Sequence, residues 1–326
     1  EVTEKKYGKL IPSFRGKIDT SFSPSSDWSP WSRVYSFNET QFLSPTPRRY
    51  AEIDVRLTSE NRMHSAVLDL ISLSFSEPLG NIVEGEVGPN LVQPGIEYDF
   101  TYALRVKSVL RDFNRVILEV PSLIRFKRAT INDEIINVTS KIESIIQPHD
   151  YAGGERLLLD FANPIKSNEL IKIEFSSEIF RHATRFKASI ENEISTQKVE
   201  AGNADSNIVG NSDIVRLSAD TKLIENITFN TRHVTPNNDM VNDDLRIDFD
   251  VINVLSPRSL KIEFLDLSGQ IVHNISNKIT AGRTLSSWSG NDMLNAGVKP
   301  GIYIAKISLD SDYPIQPIYE TFSVFY

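Results

Sequence analysis

Apolar and polar side chains alternate with a period of two over most of the chain. In YAEIDVRL, Ile53, Val55 and Leu57 share one side while Glu52, Asp54 and Arg56 share the other, the pattern of a strand with one buried face. LIKIEF repeats it with Ile171, Ile173 and Phe175, LRIDFDV with Leu245, Ile247, Phe249 and Val251, and LKIEFLDL with Leu260, Ile262 and Phe264. Helical periodicity is nearly absent, the best short candidates lying around Ser140–Ile146 and Asn291–Asn295. The turn signals QPGI, AGGE, DLSGQ and KPGI separate the runs at the spacing of sandwiches rather than of βαβ units. The expectation is an all-β protein of three consecutive antiparallel β-sandwich modules, immunoglobulin-like or discoidin-like.

Two shifts in composition place the boundaries. SEPLGN, at 76–81, follows the apolar run LDLISLSF with a proline–glycine turn, and EAGNADSNIVGNSD, at 200–213, is polar and rich in glycine and asparagine. The modules expected are 1–78, short for a sandwich, then 79–205, a linker at 206–223, and 224–326.

Composition narrows the function classes. With 35 Lys and Arg against 43 Asp and Glu, the net charge of −8 repels nucleic-acid phosphates and anionic lipid, so no nucleic-acid partner is expected. The 326 residues contain no cysteine, which removes disulfides, thiolate nucleophiles and cysteine metal sites. No apolar run reaches the ~18 residues of a membrane helix, so no transmembrane segment is expected. The opening EVTEKKYGKL has neither a methionine nor a hydrophobic signal, and reads as a processed product or as the ordered end of a longer chain.

The third module carries the most specific pattern. SLKIEFLDLSGQIVHNI is followed by WSGNDMLNAGVKPGIYIAKISLD, with Asp266, Ser268 and Gly269, then Trp288, Gly290 and Asp292, then Pro300, Gly301 and Tyr303 in order. This succession resembles the immunoglobulin-like domain of the flagellar hook-capping protein, which recurs at the C-terminal ends of secreted and cell-surface bacterial proteins. Ser289 stands where that pattern has an aspartate. Gly269 and Gly301 read as positive-φ turn residues, and Trp288 as a core anchor before a ligand-stacking residue. TPNNDMVNDD resembles the segment that opens such domains and there carries a calcium ion. The resemblance implies Asn237, Asp239 and Asp243 as oxygen ligands with the Val241 carbonyl. Asn238 and Met240 replace glycines of that pattern, and the other reading is a metal-free Asx turn. No other cofactor is required.

DWSPWSRV, at 27–34, contains the W-S-x-W-S box of cytokine-receptor modules, against which the absence of cysteine counts. With Arg15, Arg49–Tyr50 and Ala66–Leu68, it resembles discoidin or fibronectin-III-like modules of bacterial surface proteins. Trp28 and Trp31 are three apart and point to opposite faces of a strand, so one at most could meet a sugar; arginine stacking is the structural alternative. In the middle module, Arg181, His182 and Arg185 form a basic cluster read as a solvated rim with local ion pairs.

No catalytic pattern stands out. His64, His149, His182, His233 and His273 are scattered, and no H-E-x-x-H, G-x-S-x-G or phosphate-loop motif is present. The sequence therefore reads as a non-enzymatic structural or adhesive component of a bacterial cell-surface or envelope assembly. It would be extracytoplasmic, in a Gram-negative-type cell, with other proteins as partners. The alternative is the accessory, glycan-binding C-terminal part of a larger secreted hydrolase.

Overall fold

Strands form where alternation finds a covering layer. The computed structural model describes residues 29–35, 42–44, 50–59, 66–75, 77–145, 153–218, 222–312 and 315–326. They contain two β-sandwiches in series and no helix. The first is built from β1 (Val83–Gly88), β2 (Leu91–Val92), β3 (Glu97–Val106), β4 (Arg115–Val120), β5 (Arg125–Ile131), β6 (Glu134–Ile136), β7 (Val138–Ile145), β8 (Gly154–Phe161), β9 (Leu170–Glu178), β10 (Thr184–Arg185), β11 (Lys187–Glu191), β12 (Thr196–Lys198), β13 (Glu200–Ala201) and β14 (Ile214–Leu217). A six-stranded sheet, β13-β1-β3-β9-β5-β6, and a five-stranded sheet, β12-β11-β4-β8-β7, supply the two layers of its core, and β10-β14-β2 forms a small third sheet. Phe100, Phe175 and Phe186 meet at the centre, with ring centroids 5.2–5.8 Å apart. Gly85 is a matter of room: a Cβ there would lie 2.5 Å from the hydroxyl of buried Tyr102.

The second sandwich contains β15 (Ile224–Phe229), β16 (His233–Val234), β17 (Leu245–Val251), β18 (Arg258–Asp266), β19 (Ile271–Ile279), β20 (Gly282–Trp288), β21 (Gly301–Leu309) and β22 (Ile318–Val324). Three strands, β15-β17-β20, face five, β16-β22-β21-β18-β19. The residues expected inward on β17 and β18 are all buried: Leu245, Ile247, Phe249, Val251, Leu260, Ile262 and Phe264. Trp288 is a core residue. Its ring stacks on Phe264 at 4.6 Å, Phe322 meets it edge-on at 5.5 Å, and its Nε1 donates to the Asn291 carbonyl. Strand pairing is antiparallel throughout except for three two-residue pairings, β1–β13, β2–β14 and β16–β22.

Several expectations are corrected. Neither short helix exists: Val138–Ile145 is strand β7, paired with β8, and 291–295 is a turn closed by the Asn291–Gly297 bridge. β7 is an edge strand with a largely exposed, polar surface, which blurs its period. The stretch expected as a linker, 206–223, contains β14, whose Val215 and Leu217 are buried in the core of the first sandwich. Its glycines and asparagines belong to the loop ahead of that strand, which Glu86 holds down by accepting the Ala204 and Asp205 amides. Gly301 does not take a positive φ, whereas Gly269 and Gly290 do. The described residues of the expected first module form no strand, and Ile53, Val55 and Leu57 are exposed. Alternation is stable as a strand only against a neighbouring strand, and among the described residues none lies beside them.

Phe264→Ala removes the ring on which Trp288 stacks. It should destabilise the second sandwich by about 3–5 kcal/mol, seen as a lower urea midpoint and a red-shifted component of the tryptophan emission.

Candidate functional site

The residues nominated for calcium are brought together in the loop between β16 and β17, but as a closed turn. Asp243 Oδ1 accepts the amides of Asn237 and Asn238, at 3.0 and 2.7 Å, and its Oδ2 accepts the amide of Met240 at 2.7 Å. Asn237 Oδ1 accepts the Asp239 amide, Asp239 Oδ1 the Val241 amide, and Asp239 Oδ2 the Asn237 side-chain amide. The Val241 carbonyl accepts the Thr235 hydroxyl. Asn238, Met240 and Asn242 all take positive φ, so the chain adopts the left-handed geometry without the family's glycines. Three N–H groups converge on the Asp243 carboxylate, as in a nest that holds an anion. The geometry is that of an amide-closed Asx turn.

Trp28 lies outside the described residues. Trp31 is 66% exposed, and neighbouring Ser32 donates to the Arg33 carbonyl. Among the described residues, the cation-over-ring contact is Arg232 above Phe229, at 4.3 Å, and not an arginine on Trp31.

Charged groups cluster on the outer face of the six-stranded sheet. Arg128 makes a two-pronged contact with Glu174, and Lys172 bridges Asp133 and buried Asp205 at 2.7 and 2.9 Å. These acceptors hold the Lys172 ammonium above its ordinary pKa. Burial would push Asp205 up, but Lys172 and the Asn207 amide outweigh it and hold the carboxyl below its usual range. The shallow hollow there, about 440 Å³, is lined by these paired charged groups together with Ile135, Ile208 and the buried Thr130 hydroxyl, which has no partner, and the paired charges suit cross-strand stabilisation.

The basic cluster Arg181, His182 and Arg185 sits where the two sandwiches meet. Arg185 pairs with Asp213 at 2.9 Å, and the His182 amide donates to Asn253 Oδ1. Ile252, carried by the second sandwich, is buried in the core of the first, and the Asn253 amide donates to the Phe180 carbonyl. Asp250 is 2% exposed and accepts from Asn226 Nδ2 and Arg283 Nε. Arg283 in turn donates to the Gly95 carbonyl across the junction and faces Glu178 at 3.6 Å. Gly95 has φ +67°, and a Cβ there would lie 2.1 Å from Asp250 Oδ2. The only local traces of this junction are the glycine of QPGI and an aspartate inside an apolar strand, and neither points to the other.

Among the described residues each sheet ends in two edge strands, the longest of them β7 in the first sandwich and β19 and β20 in the second. The chain also exposes apolar residues on 50–59 and 66–75, where seven large side chains from Ile53 to Leu73 are 44–76% exposed. No helix among the described residues is long and apolar enough to cross a membrane.

No family profile matches the sequence, and no curated protein matches it. Among solved structures, the chain is similar to the major pilin subunit of Bacillus cereus, at 10% identity over 74% of this chain and 66% of that one, with a TM-score of 0.25. It is similar to dimeric latent PorU of Porphyromonas gingivalis at 8% identity, over 74% of this chain and 34% of that one, with a TM-score of 0.27. It is similar to the C-terminal domain of the AgI/II polypeptide BspA of Streptococcus agalactiae at 8% identity, over 75% of this chain and all of that one, with a TM-score of 0.28. The chain thus spans less than two thirds of the first two, and likeness at this level assigns neither family nor activity.

Two outcomes test these geometries. Asp243→Ala leaves three turn amides without their acceptor and should cost about 1–3 kcal/mol, while chelator or added Ca²⁺ should leave the thermal midpoint of the unmodified chain unchanged. Gly95→Ala combines a positive φ with a clash against Asp250. It should cost about 1–3 kcal/mol from the backbone alone, and calorimetry should show one transition for the parent and two for the variant.

Proposed function

We propose that this chain is a non-enzymatic, structural or adhesive component of an extracytoplasmic bacterial assembly, working through protein–protein contacts at its strand edges. One observation carries the reading. Two sandwiches are locked into one unit that, among the described residues, leaves long strand edges unpaired and exposes apolar side chains. Unpaired edges and contiguous exposed apolar side chains are the surfaces by which β-proteins add partners. The absence of cysteine and of catalytic spacing in the sequence is consistent with it, as is the hook-capping-like order of motifs in the last third of the chain.

A second reading, a glycan-binding accessory to a hydrolase, rests on the exposed Trp31 ring. The two diverge in one experiment: fractionation of the native cells with cross-linking mass spectrometry of the particle that holds the protein, and a glycan array on the isolated chain. The assembly reading expects recovery in an envelope or filament fraction, with cross-links from β7, β19 or β20 to neighbouring proteins and no glycan bound. Recovery as a free soluble protein without neighbours overturns it, and glycan binding lost in Trp31→Ala transfers the assignment to the second reading.

A further inference from the structure

β7 is the outer strand of the five-stranded sheet of the first sandwich. It pairs with β8 along all eight residues from Val138 to Ile145, and among the described residues no strand lies along its other edge. Phe42, from the N-terminal stretch, meets this sheet at the opposite edge, where Lys198 of β12 donates to its carbonyl at 2.6 Å.

The two faces of β7 are set by β8. Val138, Ser140 and Ile142 stand opposite Phe161, Leu159 and Leu157, all buried, and so face the core. Ile142 is nevertheless 42% exposed, because among the described residues no strand stands beside it on the outer side. Thr139, Lys141, Glu143 and Ile145 alternate onto the outer face, where Lys141 and Glu143 pair with each other at 2.6 Å.

The run TSKIESI, at 139–145, is its own complement when turned round. Laid antiparallel against a second copy about Ile142, it sets Ile142 against Ile142, Lys141 against Glu143, Ser140 against Ser144 and Thr139 against Ile145, with core-facing residues beside core-facing residues. Directly opposed side chains stand about 5 Å apart, so the two isoleucines cover each other and the four charges alternate in sign around the two-fold axis. The neighbouring registers that keep both faces are disfavoured. Centring the pair on Lys141 brings lysine opposite lysine, and centring it on Glu143 brings glutamate opposite glutamate; like charges so placed destabilise a strand pair. A parallel, in-register pairing has the same defect. Charges on an exposed edge that repel the wrong partners are the usual guard against indiscriminate sheet addition, and on β7 they leave one register open.

We propose that β7 pairs antiparallel with β7 of a second copy of this chain about Ile142, joining two five-stranded sheets into one continuous sheet. The same patch serves on both copies, so the contact is isologous and closes at two chains. The backbone edge of each β7 is satisfied by strand addition. This rests on the reading of strand edges as contact surfaces and names the partner at one of them.

The test uses the full chain. Sedimentation across a concentration series should give a mass that rises from one chain to two and stops there, with amide exchange slowing over 138–145 as the dimer fills. Lys141→Glu puts a carboxylate opposite Glu143 of the second copy, and Glu143→Lys puts an ammonium opposite its Lys141; each alone should weaken the dimer by about tenfold. The two changes made together restore opposite charges in reversed order and should recover the parent's affinity, and an equimolar mixture of the two single variants should pair more tightly than either does alone. A general loss of fold would not be rescued in either way. Because the chain has no cysteine, Ile142→Cys carries a single thiol, which oxidation should join to that of the second copy; Ser140→Cys, whose equivalent in the partner lies about 13 Å away, should stay single. The proposal is overturned by a mass that stays at one chain at every concentration, by one that rises past two, or by a dimer indifferent to both charge reversals. In each case, recovery of the protein in an envelope particle cross-linked to other proteins leaves the broader assembly reading standing, whereas a soluble dimer without neighbours sinks that reading and leaves this pairing.

Discussion

The arrangement of this protein depends on a buried carboxylate between its two sandwiches. Asp250 sits on β17 among apolar neighbours, removed from water, and is held by Asn226 and Arg283. A carboxyl so placed needs its partners, because removing one leaves a buried polar group without its donor, at a cost of about 1–3 kcal/mol. Arg283 is half exposed, so the solvated part of its charge contributes little, and what matters is direction: its second nitrogen donates to the Gly95 carbonyl in the other sandwich. With Ile252 in the neighbouring core and Asn253 bonded to Phe180, the junction combines apolar burial with directional bonds. That combination favours one orientation of the two sandwiches over a swivel.

A rigid pair of sandwiches gives its ends separate identities. The chain enters the first sandwich at the end remote from the junction, and the second extends away from the junction on the other side. Whatever attaches at one end is therefore held away from the other, which a flexible linker of the same length would not ensure. The unequal sheets of the second sandwich make one of its sides different from the rest. Trp288, Phe264, Tyr303 and Phe322 fill the covered part of that core, while Ile275 and Ile279 mark where cover ends.

Much of the architecture was legible in alternation alone. Ile171, Ile173 and Phe175, and the inward residues of β17 and β18, are buried as their spacing requires, since period two in a strand maps directly onto the two faces of a sheet. The Asx loop at 237–243 was legible as a place where side-chain oxygens gather, but not in what they bind. The pattern of oxygens is the same whether a cation or a set of backbone amides sits among them. Asn238 and Met240 in place of glycine were the available signal, and their positive φ shows that the turn tolerates them. The junction could not be read locally: Gly95, Glu178, Asp250 and Arg283 are far apart in sequence, and each is unremarkable in its own segment.

By itself, the sequence determined that this is an all-β chain without thiol chemistry, and which face of each central strand is buried, because both follow from residue type and a spacing of two. Only the tertiary structure decided that the glycine- and asparagine-rich stretch before β14 is packed down by Glu86 rather than free, and that the apolar stretches 50–59 and 66–75 find no sheet within the described chain. It also decided that two sandwiches share one interlocked boundary. These outcomes depend on which backbone edges and buried charges meet, and such meetings are set by contacts distant in sequence, where period and composition carry no information.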